Sequence, residues 1–177
     1  MIEALSNALK SSHIICVTGK MASGKNTVCQ ILEENGAACV DADALVHEAI
    51  RSLNDVIIET FEPFASEKKI QIKNDDGSVN RRALGVLLFD NPKLLELQEE
   101  IIYPKVIALT KDFLEKNDSK LCVINATVLY KTPELMNLCD LIIFVDSSFF
   151  KRFRRAKKRD GMKTRVILKR FKSQKSL

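Results

Sequence analysis

Nine residues near the start of the chain are of the types, and at the spacing, that hold phosphate. Gly19-Lys20-Met21-Ala22-Ser23-Gly24-Lys25-Asn26-Thr27 is a G-x-x-x-x-G-K pattern. The glycines let the backbone turn tightly. The amides of residues 22–27 then point inward as a cradle beside a helix N-terminus, where partial positive charge favours an anion. Lys25 supplies a point charge for the β- and γ-phosphates of a nucleotide. The alternative is a glycine-rich turn with a solvated lysine. The residue after the lysine, usually a hydroxyl that ligates Mg²⁺, is Asn26, with Thr27 one place later; an amide oxygen can ligate the ion or hold one of its waters.

A second set follows at Asp41-Ala42-Asp43. A carboxylate at the C-terminal edge of a parallel strand faces the ligand crevice, so Asp43 either orients an attacking hydroxyl and takes its proton or merely caps the next helix. His47 lies four residues on, hence on the same helical face. It can touch a substrate phosphate, or it is a surface residue. The third set is the tail. Residues 151–177 hold 13 of the 28 lysines and arginines and a single acid, a surplus of +12, whereas residues 1–150 carry 15 basic against 22 acidic side chains, −7. That segment handles an anion, binds nucleic acid, or is a solvated basic helix.

Positioning these groups requires a strand before the loop and a helix after it. The run Ile14-Ile15-Cys16-Val17 is uniformly apolar and mostly β-branched, the signature of a strand buried on both faces. From Gly24 to Asn35, Val28, Ile31 and Leu32 have helical spacing and Asn35-Gly36 is a stop signal. Further short apolar runs occur at 37–40, 121–124 and 141–145, with helical periodicity at 42–61, 80–89, 92–117 and 148–158, and a short amphipathic stretch at 2–10. The polar 70–80 segment, with its Asp-Gly signal, reads as a surface excursion or short hairpin. Short strands alternating with helices predict an α/β, three-layer fold built on a parallel sheet.

Composition narrows the class. The 177 residues, 46% apolar and 29% charged, have globular proportions and suffice for one domain without staples. Five cysteines without a C-x-x-C pair read as reduced thiols in a cytoplasmic protein, and no structural zinc is indicated. No apolar run approaches bilayer length, and the first dozen residues lack a continuous apolar core, so a secreted or membrane-spanning protein is not expected.

Four blocks are similar to the dephospho-CoA kinase family of P-loop small-molecule kinases: TGKMASGKNTV, DADALVHEAI, DGSVNRRALGVLLFDNP and VDSSFFKRFRRAKKRDG. The resemblance runs from residue 14 to Gln174. It implies a P-loop NTPase fold in a single domain over 1–177, with a helical substrate-side insertion at roughly 53–117 and a basic lid at roughly 151–165. It implies that Gly19, Ala22, Ser23, Gly24, Lys25, Asn26 and Thr27 bind ATP, and that Asp43 faces the ribose 3′-hydroxyl of dephospho-CoA. Arg155 and Arg159 then close over the moving phosphoryl, giving Asp43, Lys25, Arg155 and Arg159 as the catalytic set. His47, Arg81, Arg82 and Tyr103 join Asp43 as substrate-binding positions, and Mg²⁺ comes with ATP near Asn26 and Asp41.

The implied partners are ATP and dephospho-CoA rather than nucleic acid or membrane, in a monomer or small homo-oligomer. Two rivals remain: a kinase for another nucleotide or small alcohol, and a non-catalytic nucleotide- or nucleic-acid-binding protein. The chain departs from the family where Asn125-Ala126-Thr127-Val128-Leu129-Tyr130-Lys131 replaces a stretch like DIPLLFE, and where Tyr103-Pro104 replaces His-Pro. Relatives also continue past the position of Gln174 into a further strand and an adenine-contacting loop, so either that strand is absent here or the chain is part of a longer protein.

Overall fold

Four short strands form the frame on which the phosphate-type loop is hung. In the computed structural model, residues 13–89, 91–117, 120–127, 132–160 and 164–173 are described. The expected stretch at 2–10, residues Val128 to Lys131, positions 161–163 and Gln174 lie outside them. Strand β1 (Ile14–Thr18) leads into the loop and helix α1 (Lys25–Glu34) leaves it; β2 (Ala38–Asp41), β3 (Cys122–Asn125) and β4 (Leu141–Phe144) complete a parallel sheet in the order β2-β3-β1-β4. The register pairs Val17 with Asn125 and with Ile143, and Asp41 with Asn125, so the ends of β1, β2 and β3 are level. The parallel α/β expectation is met, and each strand falls within a residue or so of its apolar run.

The central strand is buried because its neighbours leave it no wet face. Ile15 and Val17 pack with Cys29 of α1 and Val123 of β3 as one core cluster. Burial of each such aliphatic side chain contributes about 1.5–3 kcal/mol relative to exposure. Asp140, just before β4, accepts the backbone N–H groups of His13 and Ile14, both at 2.9 Å, and fixes where β1 begins. Those two bonds hold its carboxyl below the usual range.

The chain divides into two compact units, one containing residues up to Ala42 together with those from Asp112 onward, the other Asp43–Lys111. The second unit is helical: α2 (Ala42–Ser52, starting one residue before it), α3 (Asn54–Glu67), α4 (Arg81–Phe89) and most of α5 (Pro92–Glu115). The single helical stretch expected over 42–61 is two helices. They part at Leu53, because the Asn54 side chain turns to the 74–79 excursion, donating to the Gly77 carbonyl and accepting the Val79 N–H. That excursion is the expected hairpin, closed by a Lys73–Val79 bridge and an Asp76 carboxylate that accepts the N–H and hydroxyl of Ser78. Ile57, Phe61, Ile72, Leu84 and Leu87 form the unit's buried interior.

Three helices end the first unit: α6 (Pro133–Asn137), α7 (Phe149–Asp160) and α8 (Thr164–Ser173). The last was not anticipated as a helix; its apolar positions Ile167 and Phe171 are spaced by four and meet Ala156 of α7 and Met21 of the loop.

All five cysteines are free thiols. Burial, reinforced by the Glu33 carboxylate, pushes Cys29 up to about 11 and Cys39 up to about 12. Being raised, these groups lend stability that is complete below about pH 9 and lost as pH climbs through 11. Thermal melts taken from pH 8 to 11 are therefore expected to fall, and to fall less in a Cys29→Ala/Cys39→Ala variant; equal slopes would refute the assignment.

Candidate active site

The loop between β1 and α1 turns where only glycine fits. Gly19 has φ +145, and a Cβ there would collide with the carbonyl oxygen of Val145 at the end of β4. Gly24 has φ +115 at the start of α1. Between them Ala22 is held at φ +60, a left-handed conformation that costs a residue with a side chain about 1–2 kcal/mol. The N–H groups of Ser23 and Thr27 are spent within the loop, on the carbonyls of Lys20 and Gly24, whereas those of Ala22 and Gly24 make no backbone hydrogen bond among the described residues.

Around this loop lies a cleft of about 480 Å³ lined by Ala22, Ser23, Gly24, Lys25 and Asn26 on one side and Arg155 and Lys158 of α7 on the other. Lys25 is buried and donates to the Gly19 carbonyl at 2.9 Å. The Ser23 hydroxyl is buried with no hydrogen-bond partner, a donor waiting for an acceptor. Arg155 donates to the Ser23 carbonyl at 2.8 Å and to the Ser147 hydroxyl at 3.4 Å. The cleft is thus walled by three cations, Lys25, Arg155 and Lys158, a setting for a polyanion.

Three residues before Arg155, on the same face of α7, Arg152 is 7% exposed. Its Nε donates to the Met21 carbonyl at 2.9 Å, and its guanidinium carbon lies 4.4 Å from the centroid of the Phe171 ring. Burial lowers its proton affinity, with Asp146 acting the other way. Sequence reasoning passed over Arg152 and Lys158, although both flank Arg155 at a spacing of three, the interval that aligns side chains on a helix.

A second cleft of about 230 Å³ opens at the level strand ends. Asn26, Asp41 and Asn125 line it with Cys29, Glu33 and Cys39. Asn125 donates its amide to Asn26 Oδ1 at 3.1 Å and leaves its own Oδ1 buried without a partner. Among the described residues no cluster of three or more His, Cys, Asp or Glu side chains is arranged to hold a metal. The oxygen donors lining the cleft are instead the carboxylates of Asp41 and Glu33 and the amide carbonyls of Asn26 and Asn125, which fits Mg²⁺, an ion that takes few protein ligands and completes its shell with water and phosphate oxygens.

The helical unit contains a third cleft, of about 510 Å³, in which His47 and Arg51 of α2 meet Arg81 of α4, with Asn54, Asn74 and Ser78 completing the wall. Arg51 follows His47 by four residues, a helical signal that the sequence carried and that was not used. Arg82 is exposed and outside this lining, Tyr103 is half-buried within α5, and Asp43 is exposed in the first turn of α2, two residues after Asp41. The side chain of Arg159 lies outside what is described.

A family model for dephospho-CoA kinase matches residues 13–177. The chain is 36% identical to a dephospho-CoA kinase of Treponema pallidum, over 92% of this chain and 78% of that protein. It is 34% identical to one of Fusobacterium nucleatum, over 93% and 82%. Among solved structures, TT1252 from Thermus thermophilus superposes with a TM-score of 0.78 at 26% identity, covering 91% of this chain and 79% of that one. A dephospho-CoA kinase from Campylobacter jejuni superposes at 0.60 and 21% identity, covering 92% and 79%, a likeness of fold. A phosphate-holding loop on a parallel sheet, a match across the described length and relatives above 30% identity agree: the chain belongs to the dephospho-CoA kinase family.

Proposed function

We propose that the chain transfers the γ-phosphoryl group of ATP to the ribose 3′-hydroxyl of dephospho-CoA, giving CoA and ADP, with the residues described above in specific roles. The observation that carries this reading is the cleft at the phosphate loop, where a buried lysine, an unpartnered buried hydroxyl and two α7 cations converge. Lys25 exchanges the Gly19 carbonyl for the β- and γ-phosphates, and the free amides of Ala22 and Gly24 hold the phosphate oxygens. The 3′-hydroxyl gives its proton to the Asp43 carboxylate as its oxygen bonds to the γ-phosphorus and the bond to the β-γ bridging oxygen breaks. Arg155 and Arg159 neutralise the charge that spreads over the moving group.

Bound Mg²⁺ would supply charge neutralisation at the β- and γ-oxygens, held by Asn26 and Asp41, with Asn125 Oδ1 accepting from its waters. The cationic cleft of His47, Arg51 and Arg81 suits the diphosphate of dephospho-CoA, and Arg82 and Tyr103 complete the substrate set. A cytoplasmic setting suits this chemistry and the five free thiols.

An ADP-release assay with dephospho-CoA, AMP, CMP and shikimate as acceptors tests the reading: turnover is expected with dephospho-CoA, and its absence there would overturn it. Asp43→Asn is expected to lower kcat by about 10²–10⁴ while ATP still binds, and Lys25→Ala to remove productive ATP binding. Near-normal turnover of the first variant would eliminate Asp43 as the base. Arg51→Ala and Arg81→Ala are each expected to raise KM for dephospho-CoA about tenfold and leave KM for ATP unchanged, in line with loss of one charge-assisted hydrogen bond. An effect on ATP alone would contradict that assignment.

A further inference from the structure

We propose that Arg152 is a positioning residue for phosphoryl transfer: clasped between the Met21 carbonyl and the Phe171 ring, it sets the direction of the Ala22 amide to which the nucleotide's phosphates bind. The inference rests on the reading of residues 19–27 as a nucleotide phosphate loop.

The peptide bond between Met21 and Ala22 is planar and trans, so the carbonyl of one residue and the N–H of the next point in opposite directions. Whatever holds Met21 O fixes Ala22 N–H. Arg152 Nε holds that oxygen at 2.9 Å. The Ala22 N–H has no backbone partner of its own, and Ala22 lines the cleft. Two peptide units further on, Arg155 repeats the arrangement: Nη1 holds Ser23 O at 2.8 Å, and the opposed Gly24 N–H has no backbone partner among the described residues. Two arginines one helical turn apart thus grip the Met21 and Ser23 carbonyls, Arg155 also reaching the Ala22 carbonyl at 3.5 Å, and set the directions of the opposed Ala22 and Gly24 amides.

The strain in the loop calls for such a grip. Ala22 stands at φ +60, which a side chain disfavours, so without a restraint the 21–22 peptide relaxes and its amide turns away. The restraint is itself costly to build. Arg152 is almost wholly buried, and its Nη2 has no hydrogen-bond partner. Phe171 of α8 closes its face at 4.4 Å, and Met21, Ala156 and Ile167 seal the rest as one apolar cluster. A buried cation aimed at a neutral carbonyl contributes little to folding that an apolar side chain of equal size would not supply. What it adds is direction and a positive charge beside the phosphate cleft. Through Phe171, that direction depends on the seating of α8, although none of the described side chains of α8 lines the cleft.

The test measures binding of tripolyphosphate and of ATP by calorimetry, with steady-state kinetics and thermal midpoints, for the unaltered chain and four variants. Arg152→Met removes the grip at nearly constant volume, and Arg152→Lys keeps the charge without the planar donor. Phe171→Leu removes the ring face, and Ile167→Val loosens the same cluster with the arginine and the ring left unaltered. Arg152→Met is expected to weaken both ligands about 10- to 100-fold, the range for a charge-assisted hydrogen bond, and to raise KM for ATP by the same factor with KM for dephospho-CoA unchanged. Arg152→Lys should recover only part of the loss, and Phe171→Leu should weaken binding about 2- to 5-fold, as loss of a cation–π contact implies.

Ile167→Val should lower the thermal midpoint while binding both ligands normally. Unchanged tripolyphosphate binding in Arg152→Met, or in Phe171→Leu and Arg152→Lys should Arg152→Met not fold, overturns the proposal. So does a loss in Ile167→Val as large as that in the arginine variants, since that would make the effect one of packing. If the unaltered chain binds neither tripolyphosphate nor ATP, the phosphate-loop reading itself falls and the proposal with it; ATP binding by the unaltered chain with no change in the variants defeats the proposal alone.

Discussion

The loop between β1 and α1 is a stretch of backbone whose carbonyls must face away from a ligand if its amides are to face toward it. A peptide unit cannot aim one group without aiming the other, and outward carbonyls near a packed surface need donors. In this chain the donors are side chains, and they come from α7, more than a hundred residues away. The sheet supplies the other half of the constraint. β4 runs beside β1 and presents the Val145 carbonyl so close to Gly19 that no side chain can stand there. Loop, sheet edge and α7 are therefore one mechanical assembly that sets the direction of the loop's amides.

The electrostatics follow from that choice of partners. A cation paired with a carboxylate brings little net field to a nearby ligand, whereas one hydrogen-bonded to a carbonyl keeps its charge. Arg152 and Arg155 are both hydrogen-bonded to carbonyl oxygens, with the Asp146 charge also acting on Arg152. The surplus of +12 over residues 151–177 thus divides by location. Arg152 is buried and built into the loop's support, Arg155 and Lys158 line the cleft, and Arg154 and Lys157 on the same helix are exposed.

At the strand ends, Asn26 and Asn125 stand where the pattern this chain resembles has a hydroxyl and a carboxylate. Their mutual hydrogen bond ties α1 to β3 without charge, and the leftover Asn125 oxygen remains buried and unsatisfied. A neutral carbonyl attracts a hydrated divalent ion less than a carboxylate does, and Asp41 and Glu33 are the described acids that share that cleft with Asn26 and Asn125.

Local signals were enough to locate the elements that carry the site. The β-branched run before Gly19, the helical spacing after Gly24 and the aspartates ending the second apolar run are features of neighbouring residues, and strands and helices obey neighbour rules. The glycine-lysine loop, Asp41 with Asn26 in one cleft and His47 with Arg81 in another all follow from motif and spacing. What escaped had causes distant in the chain. The break at Leu53 comes from an asparagine recruited by a turn more than twenty residues on. Helix α8 is organised by an apolar cluster shared with Met21, and Arg152 among so many basic residues carries no local mark that it alone is buried. Charge and periodicity are written in the chain itself. Which arginine turns inward, and which carbonyl it grips, is decided only when α7 packs across the loop, because burial and hydrogen-bond partnership belong to pairs of surfaces and not to either sequence segment alone.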